Sequence, residues 1–191
     1  IMGDKVLYLG YGANSQREMM EAITGNANLV GREAILKGFK LCVQRRDQVP
    51  DVIFPSSPVQ ISPKKIIEEN WGKKFETYMI KSGQETDEVI GTIWELSLLE
   101  RELVRDWELI ELGWYKDAKG EAVLKDGKKI EIETYVLGDN QEIDRIVDGK
   151  EYNSFLSRPE DFLRVIEIAR REYFERQRAK EGALAFSREG N

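Results

Sequence analysis

The chain has 191 residues, and its 41% hydrophobic content is enough to fill one sizeable core, which predicts a single domain. Its 35 acidic against 29 basic residues leave a net charge of −6, which argues against nucleic acid or an anionic membrane as partner. Histidine is absent, so Ser-His-Asp and Cys-His catalysis and every His-containing metal site within one chain are excluded. Proton transfer must then use Asp, Glu, Lys, Tyr or Cys, and a carboxyl acting as base near neutral pH needs its pKa raised by an apolar surround. No run approaches the roughly 18 apolar residues of a membrane span, and the first residues lack a signal-peptide pattern. The expected location is cytoplasmic, and the single cysteine, Cys42, offers no disulfide framework.

Val6 to Leu9 reads as a strand that enters Tyr11-Gly12-Ala13-Asn14 and then a helix-like stretch from Gln16 to Ile23. A strand passing through glycine into a helix start leaves backbone N–H groups pointing outward, ready for a carboxylate, carbonyl or phosphate oxygen. Gly10-Tyr11-Gly12 also half-matches a dinucleotide fingerprint with Glu33 as ribose acid, but the third glycine is missing. A Rossmann unit further needs a helix after its second strand. Here Leu29 to Leu36 turns at Lys37-Gly38 straight into Phe39, Leu41 and Val43, alternating as a strand with one buried face. A purely structural turn stays open for the loop. Cys42 falls on the opposite face of that strand and reads as a half-buried structural thiol.

Gln48 to Asp87 is the least regular part, punctuated by Pro50, Pro55, Pro58 and Pro63, and is expected to be an insertion that shapes a pocket or an interface. Within it Ser62-Pro63 opens a short helix and Phe75 to Lys81 reads as a strand. Val89 to Leu96 predicts a strand, and Ser97 to Glu100 is a capping box starting a helix with Leu99, Leu103, Val104 and Trp107 on one face. Ala122 to Leu124, Asp126-Gly127 and Ile130 to Leu137 predict a hairpin with Ile130, Ile132, Thr134 and Val136 on one side. The second half is thus mostly antiparallel. Pro159 to Arg178 reads as a long helix whose arginines alternate with glutamates, a salt-bridged face rather than an RNA stripe, and residues 181–191 as a frayed tail behind a domain spanning 1–180.

Taken together, these pieces resemble the gamma-glutamylcyclotransferase-like superfamily. The resemblance is carried by Tyr11-Gly12-Ala13-Asn14 after the opening strand, by Leu29-Val30-Gly31 through Leu41, and by Gly91-Thr92-Ile93-Trp94-Glu95-Leu96 leading through a helix to Asp106-Trp107-Glu108 and Tyr115. The family's order is kept from about Lys5 to Tyr173, the insertion aside. The resemblance implies an α+β fold, a mixed β-barrel with peripheral helices, and a pocket in which Glu108 is the general acid/base. It implies that Tyr11, Gly12, Ala13 and Asn14 hold the glutamyl part of the substrate, mainly through main-chain N–H groups, and that Tyr115 lines the same pocket. The implied reaction converts a gamma-glutamyl amide to 5-oxoproline and a free amine or amino acid, with no metal and no organic cofactor. The implied partner is a small-molecule gamma-glutamyl substrate, with no nucleic acid or membrane and with a homodimer left open.

The residues fit that chemistry on their own terms, since one carboxyl can take the proton of the attacking amine and return it to the leaving one. Trp107, Leu112 and Trp114 stand near Glu108 in sequence and are expected to supply the apolar walls that raise its pKa. Without the resemblance Glu108 is one surface charge among many, with Glu95 and Glu111 as rivals, and Tyr115 equally an aromatic closing the sheet edge. Two positions depart from the family pattern: Ala13 stands where Ser is frequent, and Leu109 where Gly is common. The alternative function on the same fold is a non-catalytic module that binds a small carboxylate.

Overall fold

A computed structural model describes residues 4–53, 61–71 and 74–151. The predicted long helix at 159–178 and the tail at 181–191 lie outside the described residues. The fold is α+β. Five strands close a barrel in the order β1 (Val6–Gly10), β5 (Glu88–Leu96), β2 (Val30–Lys37), β6 (Tyr115–Leu124) and β7 (Lys129–Leu137). A second sheet sets β3 (Phe39–Arg45) between β4 (Glu76–Ser82) and β8 (Arg145–Val147). The barrel closes where β1 meets β7 in parallel at Tyr8 and Glu133, while the other described strand pairs are antiparallel.

β2 and β3 are contiguous in sequence yet belong to different sheets. Gly38 makes the corner at φ +82°, a backbone that a side chain would strain, and its N–H donates to the Asp87 carbonyl while its own carbonyl accepts from Gly83 N–H. The same corner therefore ties the β2–β3 crossing to the β4–β5 crossing. β3 departs from the predicted alternation: Cys42, Val43 and Gln44 are all buried, because β3 is the central strand of its sheet. Cys42 is accordingly enclosed rather than half-buried, and burial pushes its thiol pKa up.

Among the described residues three α-helices pack around the sheets. α1 (Arg17–Thr24) buries Met19, Met20 and Ile23 and ends at Gly25, whose φ of +73° gives the left-handed cap. α2 (Pro63–Asn70) begins as its sequence predicts, with the Ser62 hydroxyl accepting from Lys65 N–H and Pro63 in the first turn. α3 (Leu98–Trp107) opens on the predicted Ser97–Glu100 capping box.

Of the apolar face expected on α3, Val104 is buried and Leu103 and Trp107 pack against the core, but Leu99 is 68% exposed, and Glu100 is buried on the helix as well. Glu100 tolerates burial because its carboxylate accepts from Ser97 N–H and from Asn26 Nδ2 at 2.8 Å, which holds its pKa below the usual range despite desolvation. No described helix is long and apolar enough to cross a membrane.

Candidate active site

β1 ends at Gly10, and the chain folds at once into a 3-10 turn over Gly12–Ser15. A Cβ at Gly10 would collide with the Asn14 carbonyl, and Gly12 sits at φ +57°, where a Cβ would lie 3.0 Å from the Tyr78 ring. Both glycines are needed for so tight a reversal. The turn's carbonyls are pinned from β5: Trp94 Nε1 donates to the Asn14 carbonyl at 2.8 Å, and the Thr92 hydroxyl to that of Ser15 at 3.0 Å. The Asn14 amide closes the turn on the Tyr11 carbonyl at 3.2 Å, so it is not available as a donor to a ligand. Among the described residues the N–H groups of Gly12 and Ala13 make no hydrogen bond, and both residues wall the cavity that holds the candidate acid.

That acid arrives from the end of α3, which packs against α1, β1 and β5. α3 ends at Trp107, and Glu108 caps it by donating its N–H to the Val104 carbonyl at 2.9 Å. Leu109 then takes the left-handed conformation, φ +51° and ψ +43°, and turns the chain through Ile110–Leu112 and Gly113 toward β6. Leu109 thus adopts the geometry for which glycine is suited, at a backbone cost of about 1–2 kcal/mol. Its side chain is buried and forms part of the cavity wall.

Asn14 Nδ2 donates to Glu108 Oε1 at 2.5 Å and to the Tyr8 hydroxyl at 3.0 Å. Both hydrogens of one amide are therefore in use, and they fix the Glu108 carboxyl beside Tyr8. Desolvation raises the Glu108 pKa from 4.5 to about 8, and the Asn14 hydrogen bond opposes that rise without cancelling it. The residue is half-buried as a whole, with its open side on the cavity. The neighbouring phenols stay neutral: burial, reinforced by the Glu108 charge, lifts the pKa values of Tyr8, Tyr11 and Tyr115 well above 10.

Tyr11, Gly12, Ala13, Asn14, Glu108 and Tyr115 all reach one cavity, whose space including its mouth is about 760 Å³. Tyr115 is both things the sequence left open, a buried aromatic and a wall, with its hydroxyl donating to the Tyr78 carbonyl at 3.1 Å. Tyr11 is anchored likewise, donating to the Tyr135 carbonyl at 2.7 Å. Trp107 and Trp114 stand in the wall as expected; Leu112 is buried but does not, and Leu109 takes that place. Glu95 is not among the walls.

Sequence reasoning missed Tyr8 and Tyr135, whose rings lie 5.3 Å apart. It also did not single out Ile66, Trp71, Phe75 and Tyr78, which form another side and lie in the 48–87 stretch expected to shape a pocket or an interface. Tyr8 had a weak signal, a polar-tipped aromatic one turn of the pleat before the glycine loop. Among the described residues no group of three Cys, Asp or Glu side chains is placed to hold a metal.

Solved structures share this arrangement of barrel, second sheet and helices. One named gamma-glutamyl cyclotransferase superposes with a TM-score of 0.53 at 18% identity, over 92% of this chain and 86% of that one. The chain has the gamma-glutamyl cyclotransferase-like fold. An uncharacterised human protein matches with a TM-score of 0.54 at 18% identity, over 85% of this chain and 86% of its own. YkqA from Bacillus subtilis matches at 0.51 and 12% identity, over 88% of this chain but 54% of its own. No protein-family model matches the sequence, and no curated protein does. The cyclotransferase-like fold is therefore a likeness of architecture, and the chemistry must be argued from the residues in the cavity.

Proposed function

We propose that the protein is a gamma-glutamyl cyclotransferase-type enzyme, converting a gamma-glutamyl amide into 5-oxoproline and a free amine or amino acid, with Glu108 as general acid/base. One observation carries the reading: a desolvated carboxyl with a pKa of about 8 shares a cavity with the unpaired N–H groups of Gly12 and Ala13. A base tuned near neutrality takes a proton readily and gives it back readily.

In the proposed sequence the Glu108 carboxylate accepts a proton from the substrate's alpha-ammonium. The freed amine attacks the gamma-carbonyl carbon, and a C–N bond forms as the carbonyl becomes an oxyanion. The amide C–N bond then breaks as the Glu108 carboxyl returns its proton to the leaving nitrogen, and the regenerated carboxylate takes the surplus proton from the new ring nitrogen and passes it to the departing amine, which leaves as an ammonium. Nucleophile and electrophile belong to one molecule, so holding it bent supplies much of the rate. The Gly12 and Ala13 amides, with the neutral Tyr8 hydroxyl beside Glu108, are donors suited to the substrate's carboxylate and to the developing oxyanion. Asn14 keeps the carboxyl aimed across the cavity.

The test is direct. Purified protein is incubated with a panel of gamma-glutamyl amides, and 5-oxoproline and free amine are quantified for the wild type and Glu108→Gln. Equimolar release by the wild type and its loss in the variant are expected. Binding of a gamma-glutamyl compound without turnover of any would give the site to the carboxylate-binding module instead.

A further inference from the structure

The cavity has two chemically different ends. Asn14, Tyr8, Glu108 and the Gly12–Ala13 amides form one, where every polar group of the proposed reaction is gathered. Among the other walls, four rings form one run of contacts. Trp107 packs on Trp71 at 6.2 Å between ring centroids, Trp71 on Phe75 at 5.3 Å, and Phe75 on Trp114 at 6.2 Å. Ile66, Ile67 and Leu109 fill in beside them.

Charge is distributed as unevenly as polarity. Of the described residues in the walls, Glu108 alone is charged, and no lysine or arginine is among them. Two described cations whose charges act on Tyr135, Arg101 and Arg105, are held by Glu133 and Asp117. A glutamyl group whose amine faces Glu108 and whose carboxylate meets the Gly12–Ala13 amides uses up the polar end. What is attached to its gamma-nitrogen must then lie along the aromatic wall.

Resting on the cyclotransferase reading, we propose that the amine half of the substrate is an aromatic or branched alkyl group without a carboxylate. A carboxylate carried into this part of the cavity would lose its hydration with no cation among the described walls to replace it, and would face the negative form of Glu108. An apolar ring would instead exchange water for the faces and edges of Trp71, Phe75 and Trp107. The leaving group is thus an apolar amine rather than an amino acid or a dipeptide.

The experiment compares two substrates that differ by one carboxylate, gamma-glutamyl-2-phenylethylamide and gamma-glutamylphenylalanine, with gamma-glutamylmethylamide as the compound lacking the ring. The expected kcat/KM order is phenylethylamide first, by about tenfold or more over each of the others. Equal or better turnover of gamma-glutamylphenylalanine, or of the methylamide, overturns the proposal and leaves the cyclotransferase reading intact. The same three compounds are titrated calorimetrically against Glu108→Gln, where no chemistry intervenes. If the wild type turns over none of them while the variant still prefers the phenylethylamide, the cyclotransferase reading falls and the apolar-amine assignment of the cavity stands. If that preference is missing in binding, the assignment is overturned.

Discussion

Asn14 Nδ2 and Glu108 Oε1 are 2.5 Å apart across 94 residues of chain, and the same nitrogen holds the Tyr8 hydroxyl. This bond stabilises the charged form of Glu108 against desolvation. In the wild type kcat/KM is expected to rise with pH through about 8, as the free enzyme's carboxyl ionises. Asn14→Ala removes the stabilising donor, so its rising limb moves to higher pH and its rate at pH 7 falls. A rate loss with an unshifted pH profile would mean that Asn14 only holds the loop together.

The raised pKa also leaves a mark on stability. Glu108 titrates at about 8 in the folded protein against a reference of 4.5, so between these values the folded state holds more protons than the unfolded one. Stability from this group therefore falls as pH rises through that window, and is not recovered above it. Glu108→Gln removes the dependence. Urea unfolding at pH 5, 6.5 and 8 should show the variant gaining on the wild type toward pH 8, by about 1–3 kcal/mol once cavity water screens the charge.

Leu109 couples a strained backbone to a buried side chain, and the two can be separated. Leu109→Ala loses the packing, about 2–4 kcal/mol, and keeps the left-handed strain. Leu109→Gly loses the packing but relaxes the strain by about 1 kcal/mol. Glycine is thus expected to be the less damaging substitution in denaturant titrations, and the reverse order would contradict the conformation assigned here.

Gln44 holds the aromatic wall from behind. It is fully buried, accepts from Trp114 Nε1 at 2.8 Å and donates to Gln141 Oε1 at 3.1 Å and to the Gln48 and Glu142 carbonyls. Gln44→Leu leaves the indole N–H, the Gln141 amide oxygen and two backbone carbonyls without this partner, at a cost of about 2–4 kcal/mol. A shift in tryptophan fluorescence should accompany the lower unfolding midpoint.

Removing one oxygen tests Tyr8. Tyr8→Phe keeps the ring that packs on Tyr135 but deletes the hydroxyl beside Glu108. The expected result is kcat lowered by about tenfold to a hundredfold with KM little changed, since the hydroxyl is proposed to act on the oxyanion rather than on bound substrate. A change confined to KM would make it a binding contact.

Much of the fold was legible locally, because the strands and short helices announce themselves by period and caps. The Ser97–Glu100 capping box, the Gly38 corner and the Asp126-Gly127 turn lie where the sequence puts them, while β6 begins at Tyr115, well before the expected Ala122. Burial was less legible. Cys42 and Gln44 look like an outer face until β4 and β8 flank β3, and β8, three residues long, is too short to show a period. The exposed Leu99 shows the same limit: a capping glutamate takes a buried place on α3, which no count of apolar residues anticipates. The meeting of Asn14 with Glu108 is a property of barrel closure. Only the order of the motifs, not their periodicity, hinted at it.

The wall residues Ile66, Trp71 and Phe75 enter the chain between β3 and β4, away from the segments carrying Gly12, Asn14 and Glu108. On the proposed reading, part of the wall that meets the leaving group is therefore written apart from the proton-handling residues, while Trp107 and Leu109 flank Glu108 itself. Tyr78 is the border of the two stretches, touching the Gly12 turn with its ring and Tyr115 through its carbonyl. Transplanting what precedes Tyr78 from a relative should retune which amine is accommodated without disturbing the proton-handling apparatus.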